Sequence, residues 1–163
     1  MATILLIDDK PGIRQILAEE LAFRGYTVMA IGSVPLVNEI IRFSNLDMVI
    51  MDPYINGQHQ WDLLLDIRRQ DSHLPILIMT EFASYRMDPR SALAVGILVK
   101  GFDLNDLFQK VAEVFQQKAP YPYRKVRVFP KSLPYPIQNL PSIDDPPVLV
   151  DSDGQIAMNP TFP

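Results

Sequence analysis

The stretch "LDMVIMDPYING", residues 46–57, runs apolar through Met48, Val49, Ile50 and Met51, then places Asp52 immediately before a turn-forming segment. An unbroken apolar run of this length reads as a strand covered on both faces. A carboxylate closing such a strand is the feature that needs a reason. Runs of the same kind occur at 3–7, 27–30, 76–79 and 97–99, rich in Ile, Val, Leu and Met. Between them, helical spacing predicts helices over 11–24, 34–43, 61–70 and 105–117, with a weaker one over 85–94 that Pro89 interrupts. Pro11 suits a first-turn position and Gly25 a C-terminal cap, while Asp103 is placed to cap the last helix. Five strand and helix alternations with short connections imply an α/β fold, a doubly wound five-stranded parallel sheet with helices on both faces.

The chain has 163 residues, 48% of them hydrophobic, enough for one ordinary core plus an appendage. Its net charge of −4 does not supply the concentrated basic face of a nucleic-acid binder. Without cysteine there are no disulfides, thiolate metal sites or cysteine nucleophiles, which fits a reducing compartment. No basic leader precedes the first apolar run, and no stretch reaches the roughly 18 apolar residues of a membrane span, so a soluble, cytoplasmic protein is expected.

Open parallel sheets place their sites at the carboxyl ends of strands. Asp8 and Asp9 follow the first strand, Asp52 the third, Thr80 the fourth and Lys100 the fifth, so all of these groups fall on one edge. A single aspartate after a strand is usually a turn residue, and a single lysine usually a solvated one. The joint arrangement is another matter: three crowded carboxylates raise one another's pKa unless a cation joins them. Oxygen-only ligands suit Mg2+, and with Lys100 and the Thr80 hydroxyl they form a receptacle for a phosphoryl group.

At these residues the chain resembles the receiver domain of two-component response regulators, over about residues 1–118. "ILLIDDKPGIRQIL" is similar to that family's opening strand, acidic pair and first helix. "LDMVIMDPYING" resembles its phosphoacceptor strand, "PILIMT" its hydroxyl strand and "GILVKGF" its lysine strand. The resemblance implies a flavodoxin-like fold in which Asp52 is the phosphoacceptor. Asp8, Asp9 and Asp52, with the backbone carbonyl of Tyr54, would bind Mg2+, while Thr80 and Lys100 would contact the phosphoryl oxygens. It further implies a sensor histidine kinase or phosphotransfer protein as donor, a downstream protein partner, and no enzymatic turnover beyond Mg2+-dependent self-phosphorylation; a homodimer is left open.

Departures from the family pattern concentrate around the switch. Asn56 and Gln60 stand where receivers commonly place proline and glycine, Glu81 where a small residue follows the hydroxyl, Gly101 where proline follows the lysine, and Ile97 in place of a rotating aromatic ring. Glu81, Ile97 and Gly101, with an aromatic, proline-rich C-terminal tail, favour a second reading: a receiver-fold interaction or scaffold module whose phosphorylation has lapsed and whose tail anchors it in an assembly.

Residues 119–163 carry ten prolines, which exclude a long helix or central strand. Their Tyr, Phe, Val, Leu and Ile content suggests an extended strap or docking segment rather than a solvated linker. Arg124, Lys125, Arg127 and Lys131 alternate with apolar residues, as on an edge strand. "PVLVDSDGQIAMNPTF" reads as a hairpin turning at Asp153 and Gly154, and it is weakly similar to the start of a PAS domain. No helix-turn-helix pattern, glycine-rich phosphate loop or zinc spacing is present, so direct DNA binding and metalloenzyme chemistry are not expected.

Overall fold

The structure is a computed structural model that describes residues 1–101 and 103–116, together with the backbone of Val148–Val150 and Ile156–Met158. The expected strap and its basic cluster lie outside the described residues. In chain order the elements are β1 (Thr3–Ile7), α1 (Pro11–Phe23), β2 (Thr27–Ile31), α2 (Val37–Phe43), β3 (Met48–Met51), β4 (Tyr54–Ile55), β5 (Gln58–His59), α3 (Trp61–Gln70), β6 (Ile76–Thr80), β7 (Gly96–Val99), α4 (Leu104–Gln116), β8 (Val148–Val150) and β9 (Ile156–Met158). The five parallel strands run β7-β6-β3-β1-β2, as the apolar runs predict. β8 adds to β2 in parallel and β9 to β8 antiparallel, so the sheet carries seven strands rather than five. Val150 pairs with Ile156, and the turn expected at Asp153 and Gly154 lies outside the described residues.

Alternate residues of each strand face opposite sides, and both sides are apolar. Leu5, Ile7, Val49, Met51, Ile76 and Ile78 pack with α2 and α3, while Ile4, Leu6, Met48, Ile50, Leu77 and Met79 pack with α1 and α4. Each such side chain, fully buried, contributes about 1.5–3 kcal/mol. α1 opens on Pro11 and closes with Gly25 at φ 87, whose N–H donates to the Ala22 carbonyl at 2.9 Å. Asp103 caps α4 by accepting from the Asn105 N–H at 3.0 Å. Among the described residues no helix is long and apolar enough to cross a membrane.

Two expected helices differ. The one expected from residue 34 begins at Val37, after a turn containing Pro35. The one expected over 85–94 is instead two 3-10 turns, Ala83–Met87 and Pro89–Leu93. Pro89 has no N–H for a continuous helix and forces Asp88 out of the helical region, to ψ 126. The Asp88 side chain then accepts from the Arg90 N–H and starts the second turn.

Candidate functional site

Three backbone bonds carry the sheet ladder one residue past its apolar strands. Asp8 N–H donates to the Ile31 carbonyl at 3.1 Å, Asp52 N–H to Ile7 at 3.0 Å and Lys100 N–H to Thr80 at 2.6 Å. The polar residues that close the strands are thereby set side by side on the carboxyl edge.

Asp8 and Thr80 are fully buried and Asp52 is 4% exposed. Lys100 Nζ reaches between the carboxylates, 2.6 Å from Asp52 Oδ2 and 2.8 Å from Asp8 Oδ2. Asp52 Oδ1 accepts from the Tyr54 N–H at 2.9 Å, and Asp8 Oδ1 from the Lys10 N–H at 2.8 Å. The Thr80 hydroxyl oxygen accepts from the Phe82 N–H at 3.2 Å.

One ammonium therefore serves two buried carboxylates, and the titration directions follow. Burial pushes Asp52 above the usual carboxylate range, with the Asp8 charge adding to it and the Lys100 and Tyr54 hydrogen bonds opposing. Desolvation pulls Lys100 down, but its bonds to both aspartates outweigh that and hold it above the ordinary lysine value.

The donor set fits Mg2+, which takes oxygen ligands and needs only one or two carboxylates beside waters. Apart from its ion pair with Lys100, Asp8 Oδ2 is a buried oxygen with no hydrogen-bond donor. Asp9 Oδ2 accepts from the Asn56 N–H at 2.8 Å. Among the described residues no three carboxylate or imidazole groups stand as a finished metal cage. The Tyr54 N–H bond to Asp52 fixes the same stretch of backbone from which its carbonyl was expected to reach the metal.

Several contacts near the site were not singled out from sequence, nor were the residues Lys10, His59, Tyr85 and Trp61. Asn56 (φ 52) and Gly57 (φ 78) turn β4 into β5, with Ile55 opposite Gln58, which explains why the loop dispenses with the proline expected there. Asn-Gly is the strongest short hairpin signal and was the available clue. Lys10 pairs with Glu81, joining the loop after β1 to the residue after Thr80. Tyr54, His59, Phe82, Tyr85 and Trp61 form a chain of ring contacts with centroids 4.9 to 5.8 Å apart. Within it Tyr85, 7% exposed, shares a 2.5 Å hydrogen bond with His59 Nδ1. Ile97 is half-buried against the same cluster's core.

The family model described as the response regulator receiver domain matches residues 4–112. The transcriptional regulatory protein GlrR of Escherichia coli is 28% identical over 122 residues, 73% of this chain but 27% of its own length. The response regulator protein FleR of Pseudomonas aeruginosa is 28% identical over 113 residues, 68% of this chain and 24% of its length. The chain thus spans about a quarter of these curated relatives. Among solved structures, the response regulator protein TrrA of Thermotoga maritima, in complex with Mg2+ and BeF, is 30% identical with a TM-score of 0.59, covering 70% of this chain and 99% of that one. A chain from the complex of histidine kinase ThkA with TrrA is 31% identical with a TM-score of 0.64, covering 70% of this chain and 98% of that one. Sheet order, the acidic, hydroxyl and ammonium groups on its carboxyl edge, and these likenesses agree: the chain belongs to the receiver domain family of two-component response regulators.

Proposed function

We propose that Asp52 accepts a phosphoryl group from the phosphohistidine of a sensor histidine kinase or phosphotransfer protein, in a Mg2+-dependent reaction, and that the chain then signals by contact with a downstream protein. The observation that carries this reading is the buried Asp52 carboxylate, held by Lys100 at 2.6 Å beside Asp8 on the strand-end edge. An Asp52 carboxylate oxygen forms the new bond to phosphorus as the phosphorus–nitrogen bond breaks, and the electron pair leaves on the imidazole nitrogen. Asp8, Asp9, Asp52 and the Tyr54 carbonyl would hold Mg2+, which neutralises phosphoryl oxygens. Lys100 supplies a second cation. The Thr80 hydroxyl has a proton to donate to a phosphoryl oxygen because its present bond, from Phe82, uses the hydroxyl as acceptor.

The reaction is stoichiometric self-modification, with no second substrate turned over. The Mg2+ and BeF complex of TrrA and its complex with the kinase ThkA support both the metal and the donor class. Intact mass after incubation with a small acyl phosphate donor and Mg2+ tests the proposal. One added phosphoryl group in the parent and none in Asp52→Ala is the expected result. No gain in the parent, under conditions that modify a known receiver, would overturn it.

A further inference from the structure

The first turn of α1 holds a cation, Arg14, with no carboxylate paired to it among the described residues. Arg14 is only 8% exposed, and its Nη1 donates to the backbone carbonyl of Asp8 at 2.6 Å. Its own N–H donates to the Lys10 carbonyl at 3.0 Å, so backbone and side chain of one residue grip both ends of the Asp8–Lys10 loop. An arginine is rarely buried to this degree without a purpose for its donors.

A second observation comes from the neighbouring strand. Gly32 follows β2, and a Cβ placed on it would fall 2.5 Å from Arg14 Nη1, 3.0 Å from Cζ and 3.3 Å from Nη2. Gly32 is not among the residues with positive φ, so the backbone does not require glycine there. Space does. The guanidinium fills a slot between the carboxyl ends of β1 and β2, beneath the loop that carries both acidic residues.

We infer that Arg14, seated on Gly32, is the positioning residue for the metal-binding loop, fixing the peptide after Asp8 and hence the directions in which Asp8 and Asp9 point. This rests on the reading of those aspartates as Mg2+ ligands. Groups that orient ligands rather than touch the metal typically change affinity by about 10- to 100-fold when lost.

The sign of the effect separates positioning from two simpler roles. A guanidinium acting only through its charge repels a divalent cation, so its removal would tighten Mg2+ binding. One acting only as packing would leave Mg2+ affinity unchanged and lower the melting temperature alone. Positioning requires weaker binding, and requires it also in Gly32→Ala, which keeps every charge and displaces the guanidinium.

The experiment is calorimetric titration of the full chain with MgCl2, alongside melting temperatures without metal, for the parent, Arg14→Met, Arg14→Lys and Gly32→Ala. We expect the Mg2+ dissociation constant to rise about 10-fold or more in Arg14→Met and Gly32→Ala, with partial recovery in Arg14→Lys. Should Arg14→Met not fold, Gly32→Ala carries the same comparison. Unchanged or tighter binding in folded variants would overturn the inference and leave the metal site intact. A parent that binds no Mg2+ would instead overturn the metal-site reading, and this inference with it.

Discussion

Lys100→Met tests the electrostatics of the site most directly, because it keeps most of the stem and removes the only cation paired with Asp8 and Asp52 among the described contacts. At an effective dielectric of about 20, contacts at 2.8 and 2.6 Å are each worth roughly 6 kcal/mol before costs. Desolvating the ammonium takes back several kcal/mol. What remains agrees with the about 3–5 kcal/mol by which removal of one partner of a buried ion pair destabilises a protein. For a domain of this size that is a melting temperature lower by about 10–20 °C. Thermal and urea unfolding at pH 7 without Mg2+ would measure it. Two arms locate the cause: Asp52→Asn added to Lys100→Met should recover much of the loss, because only one buried carboxylate then remains. Mg2+ at about 100 times its dissociation constant should return about 2.7 kcal/mol. A loss under about 1 kcal/mol, or strict additivity in the double variant, would refute the shared-ammonium account.

Asp52→Asn alone should raise the metal-free stability by about 1 kcal/mol, since burial disfavours the ionised Asp52, and an unchanged or lower melting temperature would count against it. Replacing both Tyr54 and Phe82, whose rings meet at 5.1 Å, by serine should speed acyl phosphate hydrolysis by admitting water; an unchanged decay rate after removal of the donor would take that screening role away. The bonds from Arg90 hold Asp88 down to about 2, so the native chain binds fewer protons than the unfolded one below pH about 4. Stability present above that pH is lost as it falls toward 2, and Asp88→Asn should flatten this part of the melting temperature profile. Lys10 and Glu81 should shift the phosphorylation rate with an anionic acyl phosphate in opposite directions: Lys10→Ala slower, Glu81→Ala faster, each a few-fold at low salt, with equal rates arguing against steering.

Most of the fold was legible because its strands are buried on both faces. Uninterrupted Ile, Leu, Val and Met mark the buried strands, and the polar residues that end those runs mark the carboxyl edge. Asp8, Asp52 and Lys100 are found in contact for this reason. Asp9 shows what linear spacing leaves out: adjacent aspartates look equivalent in sequence, yet the hairpin that turns at Asn56 brings up an N–H that takes one oxygen of Asp9 and none of Asp8. Arg14 was read only as part of a helix, because neither a carbonyl three-dimensionally above it nor the missing side chain at position 32 has a signature in linear spacing. The helix expected over 85–94 failed on a known rule: Pro89 outweighed the apolar spacing around it.

Those two 3-10 turns limit how far a displacement can travel along the backbone. A continuous helix between β6 and β7 would act as a rod, so that a push at one end moves the other. Here Asp88, extended at ψ 126, is a joint between two five-residue pieces, each held by its own short-range bonds. A shift starting at Phe82 would meet that joint within about one turn. The rings offer a second route, since Phe82 contacts Tyr85, and Tyr85 contacts Trp61 at 4.9 Å on a different element, α3. A displacement that follows these tilted and edge-on rings would pass sideways between elements, and the single tryptophan, at the far end of the linkage, should report it as a change in fluorescence.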